Sequence, residues 1–124
     1  MGGGTNLFVA TSQGVFRASR NGGAGETHAL GLQDHGGIRW LLADRDDPAR
    51  LWAATEREGV WRTDDGGRTW AEKNQGLVYK HAYSLAQHPE TGELYVGTEP
   101  ACIFKSSDGA ETWTELQSLR RLGT

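Results

Sequence analysis

Thr63–Trp70 reads TDDGGRTW: two aspartates, two glycines, an arginine, two threonines and a tryptophan in eight residues. Carboxylates beside a flexible Gly-Gly would suit a catalytic pair, a metal loop or a phosphate cradle. They suit a structural turn equally well, because an aspartate at a tight turn accepts hydrogen bonds from backbone N–H groups just ahead of it. Recurrence decides between these readings. The same pattern, [Ser/Thr]-x-Asp-x-[Gly/Ala]-x-Thr-Trp, returns at Ser106–Trp113 as SSDGAETW.

The repeat extends outward from these two stretches. LFVATSQGVFRAS from Leu7, LWAATEREGVWRT from Leu51 and LYVGTEPACIFKS from Leu94 align, with starts 44 and 43 residues apart. Thr11, Thr55 and Thr98 are equivalent, as are Val15, Val60 and Ile103, and Arg17, Arg62 and Lys105. Upstream, IRWLLADRDDPAR aligns with AYSLAQHPETGE, setting Trp40 over Tyr83 and Leu42 over Leu85. Self-similarity at this period marks a repeat architecture.

Each unit reads as short strands separated by turn residues, and no segment carries a helical apolar period. Strand A falls at about Ile38–Ala43, B at Leu51–Thr55, C at Val60–Thr63 and D at about Thr69–Lys73. The clusters DRDDPAR and HPETGE break the chain between A and B. Four antiparallel strands per ~40–50 residues match one blade of a β-propeller.

The two Asp-rich stretches resemble the Asp-box, or BNR repeat, of sialidase-like and YVTN/BNR-like β-propellers, and the resemblance runs from Leu7 to Leu119. It implies a structural role for Thr63, Asp65, Gly67, Thr69 and Trp70, and for Ser106, Asp108, Ala110, Thr112 and Trp113. In the family these boxes lie on the face opposite the substrate site. Ala110 stands where the family has glycine, which implies a slightly different turn or mild strain. The first unit has lost the pattern: Arg20 replaces the aspartate, and His28 after Thr27 is the nearest remnant of the Thr-Trp pair.

Function in a propeller sits in the loops at the mouth of the central channel, here the B–C and D–A connections. These hold Glu56 and Glu99 at equivalent positions, and Asp34, His35, Arg39, Lys80 and His81. Paired carboxylates are what glycoside hydrolysis requires, so Glu56 and Glu99 are weak catalytic candidates. Asp34 and His35 form a second weak candidate pair, although adjacent strand residues point to opposite faces. Sialidases clamp a carboxylate with three arginines and carry an Arg-Ile-Pro motif; GIRW at Gly37–Trp40 is no substitute. The four histidines lack zinc-ligand spacing, no phosphate or dinucleotide fingerprint occurs, and no cofactor or metal is expected.

Composition bounds the rest. A net charge of −3 gives no basic field for nucleic acid or an anionic membrane. Eighteen glycines against three prolines fit many tight turns, and five tryptophans require a folded environment. Cys102 is the sole cysteine, and MGGG followed by TNLF is neither a signal peptide nor a membrane span, so a cytoplasmic location is expected.

The expected architecture is therefore all-β: one partial propeller domain over 1–124, with an incomplete three-stranded blade at 7–32 and complete blades at 38–77 and 81–119. As a propeller needs four to eight blades, the expectation is an open arc with exposed sheet edges, an N-terminal portion of a longer propeller or a ring closed by self-association. The expected function is a non-catalytic scaffold binding a protein or carbohydrate at the top-face loops; photosystem assembly factors and sortilin-type receptors, relatives implied by the same resemblance, are binders. The alternative is a glycoside hydrolase, sialidase-like or another glycanase, whose catalytic set is completed by other blades. No nucleic-acid or membrane partner is expected.

Overall fold

The computed structural model of the chain describes residues 5–21, 24–33 and 36–116, and these form β-strands joined by turns with no helix. Three antiparallel sheets follow one another along the chain. The first has the order β1 (Thr5–Thr11), β2 (Gly14–Asn21), β3 (Ala24–Ala29). The second is β4 (Ile38–Ala43), β5 (Leu51–Thr55), β6 (Val60–Thr63), β7 (Ala71–Glu72). The third is β8 (His81–Gln87), β9 (Leu94–Glu99), β10 (Cys102–Ser106), β11 (Thr114–Glu115). Neighbouring sheets stack face to face: β1 packs on β4, and β8 on β4 and β5. The chain is a partial, open β-propeller. No helix among the described residues is long and apolar enough to cross a membrane.

Alternation along β5 explains the stacking. Ala53 faces one core with Val15, Leu32 and Ile38, between the first and second sheets. Trp52 and Ala54 face the other, with Leu85, Val96, Phe104 and Trp113, between the second and third. A central strand covered on both faces is buried at every residue, and β5 is.

Three details depart from the sequence reading. Strand D is shorter than Thr69–Lys73: β7 holds only Ala71 and Glu72, because the turn before it takes up Thr69 and Trp70. The equivalence of Trp40 with Tyr83 and of Leu42 with Leu85 is off by one residue. Ile38 pairs with Thr55 and Trp40 with Ala54, while Ala82 pairs with Thr98 and Ser84 with Gly97, each across a bulge. Arg39 and Tyr83 are thus the equivalent bulge residues, and Leu41 matches Leu85. A bulge adds one unpaired residue, which residue spacing alone does not reveal.

The third departure concerns the first unit, where a sheet face lies open in addition to the strand edges. Leu7 is 59% and Val9 42% exposed, whereas the equivalent Leu51, Ala53, Leu94 and Val96 are buried. In the first sheet the Asp-rich turn gives way to a hairpin in which Asn21 pairs with Ala24. His28 does not stand in for the missing tryptophan. It pairs with Arg17 as Ala71 pairs with Arg62, so Thr27 occupies the tryptophan's backbone position.

Candidate functional site

At the end of the sheets bearing the β6–β7 and β10–β11 turns, two identical networks form. The Thr63 hydroxyl donates to Asp65 Oδ1 at 2.7 Å and accepts from the Gly67 N–H at 2.9 Å. Thr69 closes the turn, its N–H donating to Asp65 Oδ1 at 2.9 Å and its hydroxyl to Oδ2 at 2.6 Å. Ser106, Asp108, Ala110 and Thr112 repeat every one of these bonds, at 2.8, 2.9, 2.9 and 2.6 Å. The donors hold both aspartates below the usual carboxylate range, Thr69 most strongly for Asp65 and Thr112 for Asp108. Both oxygens of each carboxylate are thereby spent on the chain itself.

Ala110 does not change the turn. Its φ is +83° against +97° for Gly67, and Gly66 and Gly109 take +73° and +74°. The difference lies in the neighbour. A Cβ on Gly67 would come within 2.9 Å of Leu30 Cδ1, whereas Lys73, the residue equivalent to Leu30, extends to Glu111 at 3.0 Å. The Ala110 methyl is fully buried in the core between the second and third sheets.

The opposite end carries the β1–β2, β5–β6 and β9–β10 loops, where charged groups meet. Glu56 Oε2 lies 3.6 Å from Arg39 and Oε1 3.5 Å from Arg57. The Glu56 N–H donates to the Gly37 carbonyl at 2.8 Å, which pins the loop to the entry of β4. The Arg39 guanidinium lies 4.1 Å above the centre of the Tyr83 ring. Consecutive inner strands thus use their bulges to pair a cation with an aromatic face, an interaction worth about 0.5–1 kcal/mol when exposed.

Of the sequence candidates, Glu56 sits in this cluster and Glu99 does not. Glu99 ends β9 opposite His81, exposed, and shares none of the ion pairs of Glu56. Asp34 and His35 lie outside the described residues. Lys80 donates to the Leu77 carbonyl and accepts the Gly59 N–H through its own, so it serves the connection into β8. Arg57 and Tyr83 were not among the sequence candidates. The signal for Tyr83 was the bulge at the head of its inner strand, which neither charge nor motif marks, whereas Arg57 lies beside Glu56 in the β5–β6 loop. Among the described residues no three His, Cys, Asp or Glu side chains gather as a metal site.

No protein-family model and no curated protein sequence matches the chain. Solved structures do. A GH74 enzyme from Niastella koreensis aligns over 89% of this chain and 19% of its own, at 17% identity and a TM-score of 0.72. The GH74 xyloglucanase from Xanthomonas campestris covers 89% and 21%, at 20% identity and 0.63. YCF48 bound to a D1 peptide covers 89% and 36%, at 18% identity and 0.63. The chain is similar to these in fold, and it spans from about a fifth to about a third of their length.

Proposed function

We propose that the chain is a non-catalytic repeat scaffold of the Asp-box, or BNR, propeller class, which binds a protein ligand through the loop end that carries Glu56. The turns Thr63–Trp70 and Ser106–Trp113 are its Asp-boxes. The single domain 1–124 divides into units 7–32, 38–77 and 81–119, as part of a longer propeller, and its location is the cytoplasm. The observation that carries the reading is the cluster itself. Glu56 is held between Arg39 and Arg57, while Arg39 rests on Tyr83, so the surface offers guanidinium and aromatic groups rather than a free carboxylate pair. Arginine and tyrosine are the residue types on which protein interfaces concentrate their binding energy. The likeness to peptide-bound YCF48 supports a peptide-like ligand.

Likeness to the GH74 enzymes favours a second reading, in which Glu56 or Glu99 is one of two catalytic carboxylates and other blades supply its partner. One comparison separates them: titration with a set of acidic peptides against incubation with xyloglucan oligosaccharides and a fluorogenic sialoside. Saturable peptide binding that weakens about tenfold or more in Arg39→Ala and Tyr83→Ala, with unchanged thermal midpoints, is expected. Glycoside turnover abolished by Glu99→Gln overturns the scaffold reading.

A further inference from the structure

We infer that the outward face of the third sheet is a docking surface for a further blade carrying its own Asp-Thr-Trp turn, and that a second copy of this chain is the wrong partner for it. The inference rests on reading the turns as repeat elements, and it concerns a different surface from the Glu56 cluster.

The joint between blades has a repeated part. The residue that follows each outer strand donates its N–H back across the sheet: Leu30 to the Val15 carbonyl, Lys73 to Val60 and Leu116 to Ile103, at 2.7, 2.8 and 2.9 Å. The carbonyls of the first two then accept the tryptophan indole from the turn of the next blade. Trp70 Nε1 donates to Leu30 at 2.7 Å and Trp113 Nε1 to Lys73 at 2.8 Å. Leu116 occupies the third place in this series. The surface around it repeats the second blade's outgoing face. Trp52, Ala54 and Val60, covered by the third sheet, are buried, and their equivalents Tyr95, Gly97 and Ile103 are half-buried.

The charge series continues too. Arg62 donates to the Gly109 carbonyl at 2.9 Å and pairs with Glu111 at 3.0 Å, both in the turn of the following blade. Its equivalent in the third sheet is Lys105, which pairs with Glu93 of its own blade at 3.4 Å as Arg62 pairs with Asp64 of its own at 3.2 Å. The occupant is therefore a sheet whose turn presents an indole to Leu116 and a carbonyl and an acidic side chain to Lys105. A second copy does not meet this description. Its free face is its first sheet, no tryptophan occurs before Trp40, and β2 and β3 run on as a hairpin where the turn would be.

The test lengthens the whole chain by repeating residues 74–116 directly after Leu116. The extended protein is expected to be monomeric by light scattering and to unfold in one transition above the parent's midpoint. Changing the added copy's tryptophan, the one equivalent to Trp113, to phenylalanine should lower that midpoint as Trp113→Phe lowers the parent's. An added segment that unfolds separately, or leaves the midpoint where it was, overturns the inference. A discrete head-to-tail oligomer of the parent chain, dissociated by Leu7→Glu, also overturns it. Peptide binding at the Glu56 cluster is measured independently, so either result stands without the other.

Discussion

The indole N–H of Trp113 donates to the backbone carbonyl of Lys73, 40 residues earlier and in the preceding sheet, at 2.8 Å. One side chain therefore belongs to its own turn and to the residue that follows its neighbour's outer strand. Its backbone N–H reaches the same connection, donating to Gln75 at 2.9 Å. Trp113 is 4% exposed, while Trp70, which makes the matching bond to Leu30, is only half-buried. Trp113→Ala is expected to cost about 3–5 kcal/mol by loss of core volume. Trp70→Ala should cost less, since less of its area leaves water. Trp113→Phe keeps most of the packing and leaves a carbonyl without its donor, for about 1–3 kcal/mol. Denaturant unfolding of the three variants checks the order, and equal losses for Trp70→Ala and Trp113→Ala would contradict the burial difference.

The turn aspartates predict an acid limit. Both Asp65 and Asp108 are held below their ordinary value of 3.8 in the folded chain, first by the threonine hydroxyls and then by backbone N–H groups. A carboxylate whose folded pKa is depressed adds stability that is fully present above the unfolded pKa. That stability is lost as pH falls through the folded value. The thermal midpoint should therefore hold from neutral pH to about 5 and drop below about 4. In the double variant Asp65→Ala/Asp108→Ala the midpoint should start lower and fall less over the same range. Parallel pH curves for parent and variant would show that other groups set the limit.

Gly67 and Ala110 adopt the same left-handed conformation, so substitution at the two tests what each neighbour permits. An L-residue in this region costs about 1–2 kcal/mol. In Gly67→Ala the new methyl also meets Leu30 at 2.9–3.0 Å, and overpacking adds about 1–3 kcal/mol. In Ala110→Gly the relief of backbone strain is offset by about 0.8 kcal/mol of lost burial and about 0.4–1 kcal/mol of extra freedom in the unfolded chain. Gly67→Ala should therefore be clearly destabilising and Ala110→Gly close to neutral. A gain above about 1 kcal/mol for Ala110→Gly would mean that its methyl contributes little to the core.

The strands were legible because each is an apolar run bounded by breakers; Ile38–Ala43, Leu51–Thr55 and Val60–Thr63 form β4, β5 and β6 at the residues the pattern marks. The outer strand was overread because Thr69 and Trp70 look like strand formers, yet their hydrogen bonds go to Asp65 and Leu30. The cluster at the loop end was half legible. Glu56 announced itself as a loop carboxylate, but Arg39 meets Tyr83 only because both inner strands bulge at the same place. Contacts between blades join residues about 40 positions apart through side chains that a period in the sequence aligns but does not pair. That is why Arg62 with Gly109 and Gln87 with Asp44 were out of reach.

The two joints differ in charge, and the difference is correctable. Between the second and third sheets Arg62 and Lys73 both hold Glu111, which keeps its carboxyl below the usual range, Lys73 contributing most. Between the first and second, Arg17 takes the place of Arg62, Leu30 that of Lys73 and Arg68 that of Glu111. Two guanidinium-bearing residues thus occupy positions filled elsewhere by an acid–base pair, and Arg17 Nε is buried without a hydrogen-bond partner. Arg68→Glu is expected to supply the missing acceptor and raise stability by about 0.3–1 kcal/mol, the range of a partly exposed pair. Added salt should shrink the gain, because screening weakens an exposed pair. The mirror change, Glu111→Arg, should lower stability by more, since it removes the carboxylate from both Arg62 and Lys73. Thermal unfolding at low and high ionic strength measures all four values. No gain for Arg68→Glu at low salt would mean that Arg17 and Arg68 do not face each other across the first joint as Arg62 and Glu111 do across the second.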